Sequence, residues 1–163
     1  MKIITNFTNT RKERTKIHWG NVIAGTITIL GFLIVLYFLG VGTGITNKGT
    51  ELNPLVLTDT FIWLLLSTIL AVFTGGFLAA ITRGSTSKID GGLHGFLAWA
   101  LSIVLLWIFF SVTESFLYVA ITNKASMLLF WVLIIGALVG LCGGLIAASS
   151  LFTSEELEKS FSS

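Results

Sequence analysis

Charge is what this sequence has least of. Of its 163 residues only 11% are Asp, Glu, Lys or Arg, and 54% are hydrophobic; an ordinary soluble domain carries about 25% charged residues. That scarcity excludes a water-covered globule. It leaves four stretches with no charge at all, 17–47, 60–82, 91–113 and 125–154, each longer than the roughly 20 residues a helix needs to cross about 30 Å of hydrocarbon. Cysteine is nearly missing too. The lone Cys142 sits inside the fourth run, which excludes a disulfide framework or a thiol pair for metal or redox work and leaves a small packing residue. Proline occurs once, at Pro54, in an Asn53-Pro54 turn signal between the first two runs. A net charge of +2 gives no reason to expect a nucleic-acid partner. No HExxH, Walker loop, Ser/His/Asp set or carboxylate pair is readable, so no catalytic residue, metal or cofactor is assigned and a non-enzymatic protein is expected. The lack of Asp, Glu, Lys or Arg near mid-bilayer argues against a pump or proton-coupled carrier.

What the chain has in place of charge is apolar mass suited to lipid. The stretch Phe61–Ile81 is dominated by Leu, Ile, Val and Phe. Each contributes roughly −0.3 to −0.6 kcal/mol to insertion near a helix centre, against about +2.5 to +3.5 for a single Asp or Lys there. The expected fold is therefore all-α: a polytopic membrane domain over residues 17–150, with four transmembrane helices at about 18–45, 60–82, 93–121 and 125–150, arranged as two parallel-repeated hairpins. Residues 1–16 form a basic lead-in. Residues 151–163 form an acidic tail carrying Glu155, Glu156 and Glu158, read as polar or as a short helix capped by Thr153 or Ser154. Lys2, Arg11, Lys12, Arg14 and Lys16 precede the first span and Arg83 and Lys88 join the second to the third, while the other connections carry only Lys48 and Lys124. The positive-inside rule then puts both termini in the cytoplasm, and the first span is too long for a cleaved signal peptide. Tryptophan marks depth: Trp19 the inner end of the first helix, Trp63 the outer start of the second, Trp131 the outer part of the fourth. Trp99 and Trp107 are placed on one face of the third, and Glu114 snorkels toward the outer surface.

Two stretches repeat. TGGFLAA (74–80) is answered by CGGLIAA (142–148), and with Trp63 aligned on Trp131 the ungapped match takes in Leu65, Leu70, Gly75, Gly76, Ala79 and Ala80 against Leu133, Leu138, Gly143, Gly144, Ala147 and Ala148. The first and third helices share Ile17-His18 and Leu93-His94. Both hairpins run in the same sense, so the repeat predicts a pseudo-two-fold axis along the membrane normal. Small residues four apart let helices approach closely in lipid, where apolar side chains gain nothing from leaving the tails. The candidate packing seams are Ser67, Ala71, Gly75 and Ala79 on the second helix and Gly136, Gly140, Gly144 and Ala148 on the fourth, with Gly76 and Gly143 on adjoining columns so that each helix is gripped from two sides.

His18 and His94 are the only histidines, both placed at headgroup level where an imidazole is cheaply solvated. Interfacial or packing roles are expected of them, with gating by protonation or haem ligation as remote alternatives. GVGTGI (40–45) resembles a potassium filter superficially, but a full span leads straight into it, so a close-packed or terminating helix end is expected. Asn21, Thr26, Thr28 and Ser102 can bond the carbonyl one turn back or reach across helices.

Taken in order, WGNVIAG (19–25), GVGTGI (40–45), FIWLLLSTILAVFTGGFLAA (61–80) and DGGLHGFLAWAL (90–101) resemble an uncharacterised family of small bacterial integral membrane proteins, some loosely labelled PhnA-like. The resemblance covers about residues 19–105 and departs at 128–150. It implies a multispanning protein of the bacterial inner membrane and supplies no activity and no site residue. The expected function is that of a non-enzymatic membrane protein acting through helix packing, as a homo-oligomer or as an accessory subunit among other membrane subunits, with lipid as its constant partner. The alternative is a small channel or carrier whose pore lies between protomers.

Overall fold

The structure is a computed structural model that describes residues 17–45, 54–84, 87–112 and 123–161. Four α-helices carry the described chain: α1 Trp19–Gly42, α2 Pro54–Ile81, α3 Lys88–Val112 and α4 Asn123–Phe161. All four contain a segment long and apolar enough to cross a membrane, at Trp19–Gly42, Asp59–Ile81, Lys88–Phe109 and Phe130–Ser154. The protein is all-helical as expected, and its apolar side chains point outward. Ile27, Val35, Phe38, Trp107 and Phe109 are each more than half exposed, as are Phe130, Trp131 and Leu138. In water such a surface would aggregate; in hydrocarbon it is the solvated face.

Helix ends differ from the expected bounds for local reasons. α2 starts at Pro54, ahead of its apolar window, because proline fixes a helical φ and its missing N–H is wanted by no partner in a first turn. α3 begins at Lys88, taking in polar residues expected to form the loop; Ser87 stands before it and Asp90 three residues on, the spacing of a capping pair. α4 runs without a break through Ser149, Ser150, Thr153 and Ser154 to Phe161. The Thr153 hydroxyl donates back to the Ser149 carbonyl at 3.1 Å and that of Ser154 to Leu151 at 2.8 Å. These hydroxyls bond within one continuing helix and do not cap a new one. Loop 46–53, the end of the third span beyond 112 with Glu114, and residues 1–16 lie outside the described residues.

The helices pack as a rhombus. α2 and α3 form the middle and touch each other, α1 packs on both of them, and α4 packs on both of them, while α1 and α4 do not meet among the described residues. A two-fold axis along the membrane normal would make the α2–α3 and α1–α4 pairs equivalent, so the arrangement departs from the expected symmetry. The core is correspondingly thin, built on Ile29, Ala71, Val72, Ala79 and Ala98 with Leu33, Trp99 and Val139 against it.

Candidate functional site

Small residues bring the backbones together at three crossings. On the α1–α2 face a Cβ built on Gly25 would stand 2.6 Å from Ala79 Cβ and 2.6 Å from the Gly75 carbonyl, and a Cβ on Gly75 would strike Ile29 and the Gly25 carbonyl. On the α2–α4 face Gly76 meets the Gly140 carbonyl (2.9 Å) and Gly143 that of Phe73 (2.7 Å). On the α3–α4 face Gly144 and Gly91 press on each other, Gly95 presses on Gly140, and Gly136 lies under the Trp99 indole. Since real Cβ atoms essentially never sit under 3.0 Å from backbone, Gly25, Gly75, Gly76, Gly91, Gly95, Gly143 and Gly144 admit no side chain without helix displacement, while Gly136 is closed by the Trp99 ring and Gly140 is tight at 3.1 Å from the Gly95 carbonyl. Ala71, Ala79 and Ala148 are fully buried on the same seams and Ser67 is 5% exposed.

The paired glycines do grip two neighbours each, but the repeat is not carried into equivalent contacts. Gly75 faces α1, its own hairpin partner, whereas its sequence counterpart Gly143 faces α2 of the other hairpin; Gly76 faces α4 across hairpins, whereas Gly144 faces α3 within its own. The swap follows from the rhombus, in which α2 and α4 press on each other and α1 and α4 do not. Trp63 and Trp131 part company similarly. The Trp63 indole lies against Gly40 and donates its N–H to the Leu36 carbonyl at 3.1 Å, while Trp131 is half exposed. Trp99 is packed on Gly136 and Trp107 is 58% exposed, so these two do not share an environment. GVGTGI is a helix end: Gly40 admits the indole, and Gly44 at φ +74° turns the chain out of α1 with its N–H on the Val41 carbonyl.

The polar chemistry of the described residues concentrates at the other end of the bundle. Gly84, at φ +66°, closes α2 and places Arg83 at the turn. There Arg83 Nη2 lies 3.1 Å from Asp90 Oδ2 in an ion pair whose side chains are only 13% and 15% exposed. One turn along α3, His94 is fully buried. This corrects the expectation of a headgroup-solvated ring: the small residues beside it let α1, α2 and α4 close around the start of α3. His94 Nδ1 lies 2.8 Å from the Asp90 carbonyl and 3.3 Å from Arg83 Nη1, and the backbone N–H of His18 donates to Nε2 at 3.2 Å. The ring therefore faces two donors and one acceptor. A neutral ring protonated at Nδ1 satisfies His18 and Asp90 together. Protonation at Nε2 alone would satisfy only Arg83, and the doubly protonated ring only Asp90. The first form is the one the geometry selects.

The two histidines thus meet, through the backbone of one and the ring of the other, and the His18 ring itself is exposed. With both His94 ring nitrogens engaged by the protein, the arrangement does not fit a haem or metal ligand pair, and among the described residues no three His, Cys, Asp or Glu side chains converge. Between the helices, the Thr26 hydroxyl is shared by the Val22 carbonyl (2.9 Å) and the Ala98 carbonyl of α3 (3.2 Å), while Thr28 and Ser102 bond within their own helices. Asn21 lies half-buried in the first turn of α1, and Cys142 is exposed. Arg83 and Asp90 were readable only as loop residues; the signal for more was the i, i+4 spacing of Asp90 and His94 with an arginine beside a turn glycine. At the opposite end Ile45, Asp59, Ile62, Trp63 and Leu66 line a shallow open pocket of about 260 Å³. No family model, curated protein or solved structure matches the chain.

Proposed function

We propose that the protein is a non-enzymatic component of the bacterial inner membrane that acts by association within the bilayer, as a homo-oligomer or as an accessory subunit of a membrane complex, with both termini cytoplasmic. The observation that carries this reading is the outer face of α1. The glycine and alanine seams of α2, α3 and α4 are filled by one another and by the inner face of α1 inside a single chain, whereas Gly20 and Gly31 of α1 have nothing within 4 Å. Around them Ile27, Ile34, Val35 and Phe38 are 64%, 58%, 65% and 67% exposed. Glycine lowers helix propensity by about 1 kcal/mol relative to alanine, and facing lipid alone it gives nothing back; facing another helix it permits close approach. The resemblance to small bacterial membrane proteins, on the four stretches quoted above, belongs to the same proposal.

A photo-reactive residue in place of Ile27, activated in native membranes, tests it. A discrete adduct at twice the chain mass supports the homo-oligomer and a defined larger adduct the accessory subunit. Labelling of lipid alone contradicts both. Ion flux into liposomes above the empty-vesicle background would replace this reading with the channel alternative, whose pore lies between copies.

A further inference from the structure

His94 is a buried imidazole that the association reading does not use. Its ring ties three parts of the fold at once: the His18 N–H before α1, the Asp90 carbonyl in the first turn of α3, and the Arg83 guanidinium at the α2 end. His18 occupies the cap position of α1 and makes no side-chain cap bond there; its backbone N–H on the ring ties this cap to α3, and a further tie along α1 is that of Thr26 to the Ala98 carbonyl, two turns on. We propose that His94 is a proton-operated latch: the neutral ring holds the start of α1 onto α3, and uptake of a proton at Nε2 releases it.

The chemistry is a matter of donors and acceptors. Nε2 can receive the His18 N–H only through its lone pair. A proton there turns the contact into two N–H groups facing each other and puts a second positive charge beside Arg83. Among the described residues the charged and titratable groups around the ring are few. From α1 there is His18, whose ring is exposed; from the α2 end, Arg83; from α3, Asp90, whose carboxylate is paired with Arg83, and Lys88, which is exposed. α4 presents Gly140, Leu141, Gly144, Leu145 and Ala148 to this part of α3, all uncharged. Among the described side chains Asp90 is the nearby anion, and its carboxylate is paired with Arg83 at 3.1 Å. The latch rests on the fold alone and stands or falls separately from association.

A nitroxide at Ile17→Cys in a Cys142→Ser background, in the full chain reconstituted in phosphatidylcholine vesicles, reads the latch directly. On acidification from about pH 8 to about pH 5, the spectrum should pass reversibly from an ordered to a mobile line shape. His94→Gln supplies an amide oxygen as acceptor and takes up no proton, so its label should stay ordered at both ends of the range. His18→Ala keeps the backbone N–H and should respond as the parent does. The proposal is overturned by a parent spectrum that does not change with pH, by a change that survives in His94→Gln, or by one that disappears in His18→Ala, which would make the exposed ring the sensor.

Discussion

A histidine one turn into an apolar helix can sit among headgroups or between helices, and the residue itself does not say which. At this scale the outcome turns on what stands beside it. Gly91, Gly95 and Ala98 leave space on α3 for α1 and α4 to close in, and His94 is fully enclosed. Neither its burial nor the Arg83–Asp90 pair was legible in the sequence, because both depend on how the helix ends meet. By contrast, the terminating role of GVGTGI was legible, since a glycine at positive φ is the ordinary way to stop a helix. Three outcomes follow at single positions. His94→Leu strands the His18 N–H and should lower stability by about 1 to 3 kcal/mol, seen as a fall in Tm in detergent, with His94→Gln recovering part of the loss. Asp90→Asn leaves Arg83 without its counter-charge in a largely enclosed site; about 1 to 3 kcal/mol is expected, between the values for exposed and fully buried pairs. Gly44→Ala forces a side chain into the left-handed region at a cost of about 1 to 2 kcal/mol, with no effect on the His94 end.

The spans themselves were the most legible feature. A run of twenty uncharged apolar residues has one low-energy arrangement in a bilayer, since every backbone group must be bonded within the segment. Polar extensions carry no such compulsion, which is why α2 and α4 exceed their apolar windows, at Pro54 and Phe161. The small-residue seams could be read as seams, but not by partner. Which neighbour faces Gly75 or Gly143 depends on the ring order of four helices, and the sequence match suggests an equivalence that the packing does not keep. The consequence is testable helix by helix. Gly140→Leu or Gly144→Leu must push α4 away from α3 and should cost stability at or above the upper end of the about 1 to 3 kcal/mol typical of overpacking. Gly20→Leu, with open space around it, should leave the thermal midpoint of the isolated chain unchanged.

As a whole the molecule is lopsided. α2 and α3 are covered on both sides and α1 and α4 are each held from one side, but the outward face of α1 carries Gly20 and Gly31, with nothing within 4 Å of either, where a lipid-facing helix has no use for glycine. The central functional claim is that internal seams build the protomer and the outer face of α1 joins it to something else. Native mass spectrometry of the parent chain and of Gly31→Leu, with thermal midpoints measured alongside, tests this most directly. The account predicts a parent protein that is released as a complex of defined mass and a Gly31→Leu variant released as a single chain at an unchanged midpoint. A parent that is already a lone chain, or a complex that survives Gly31→Leu intact, would contradict it.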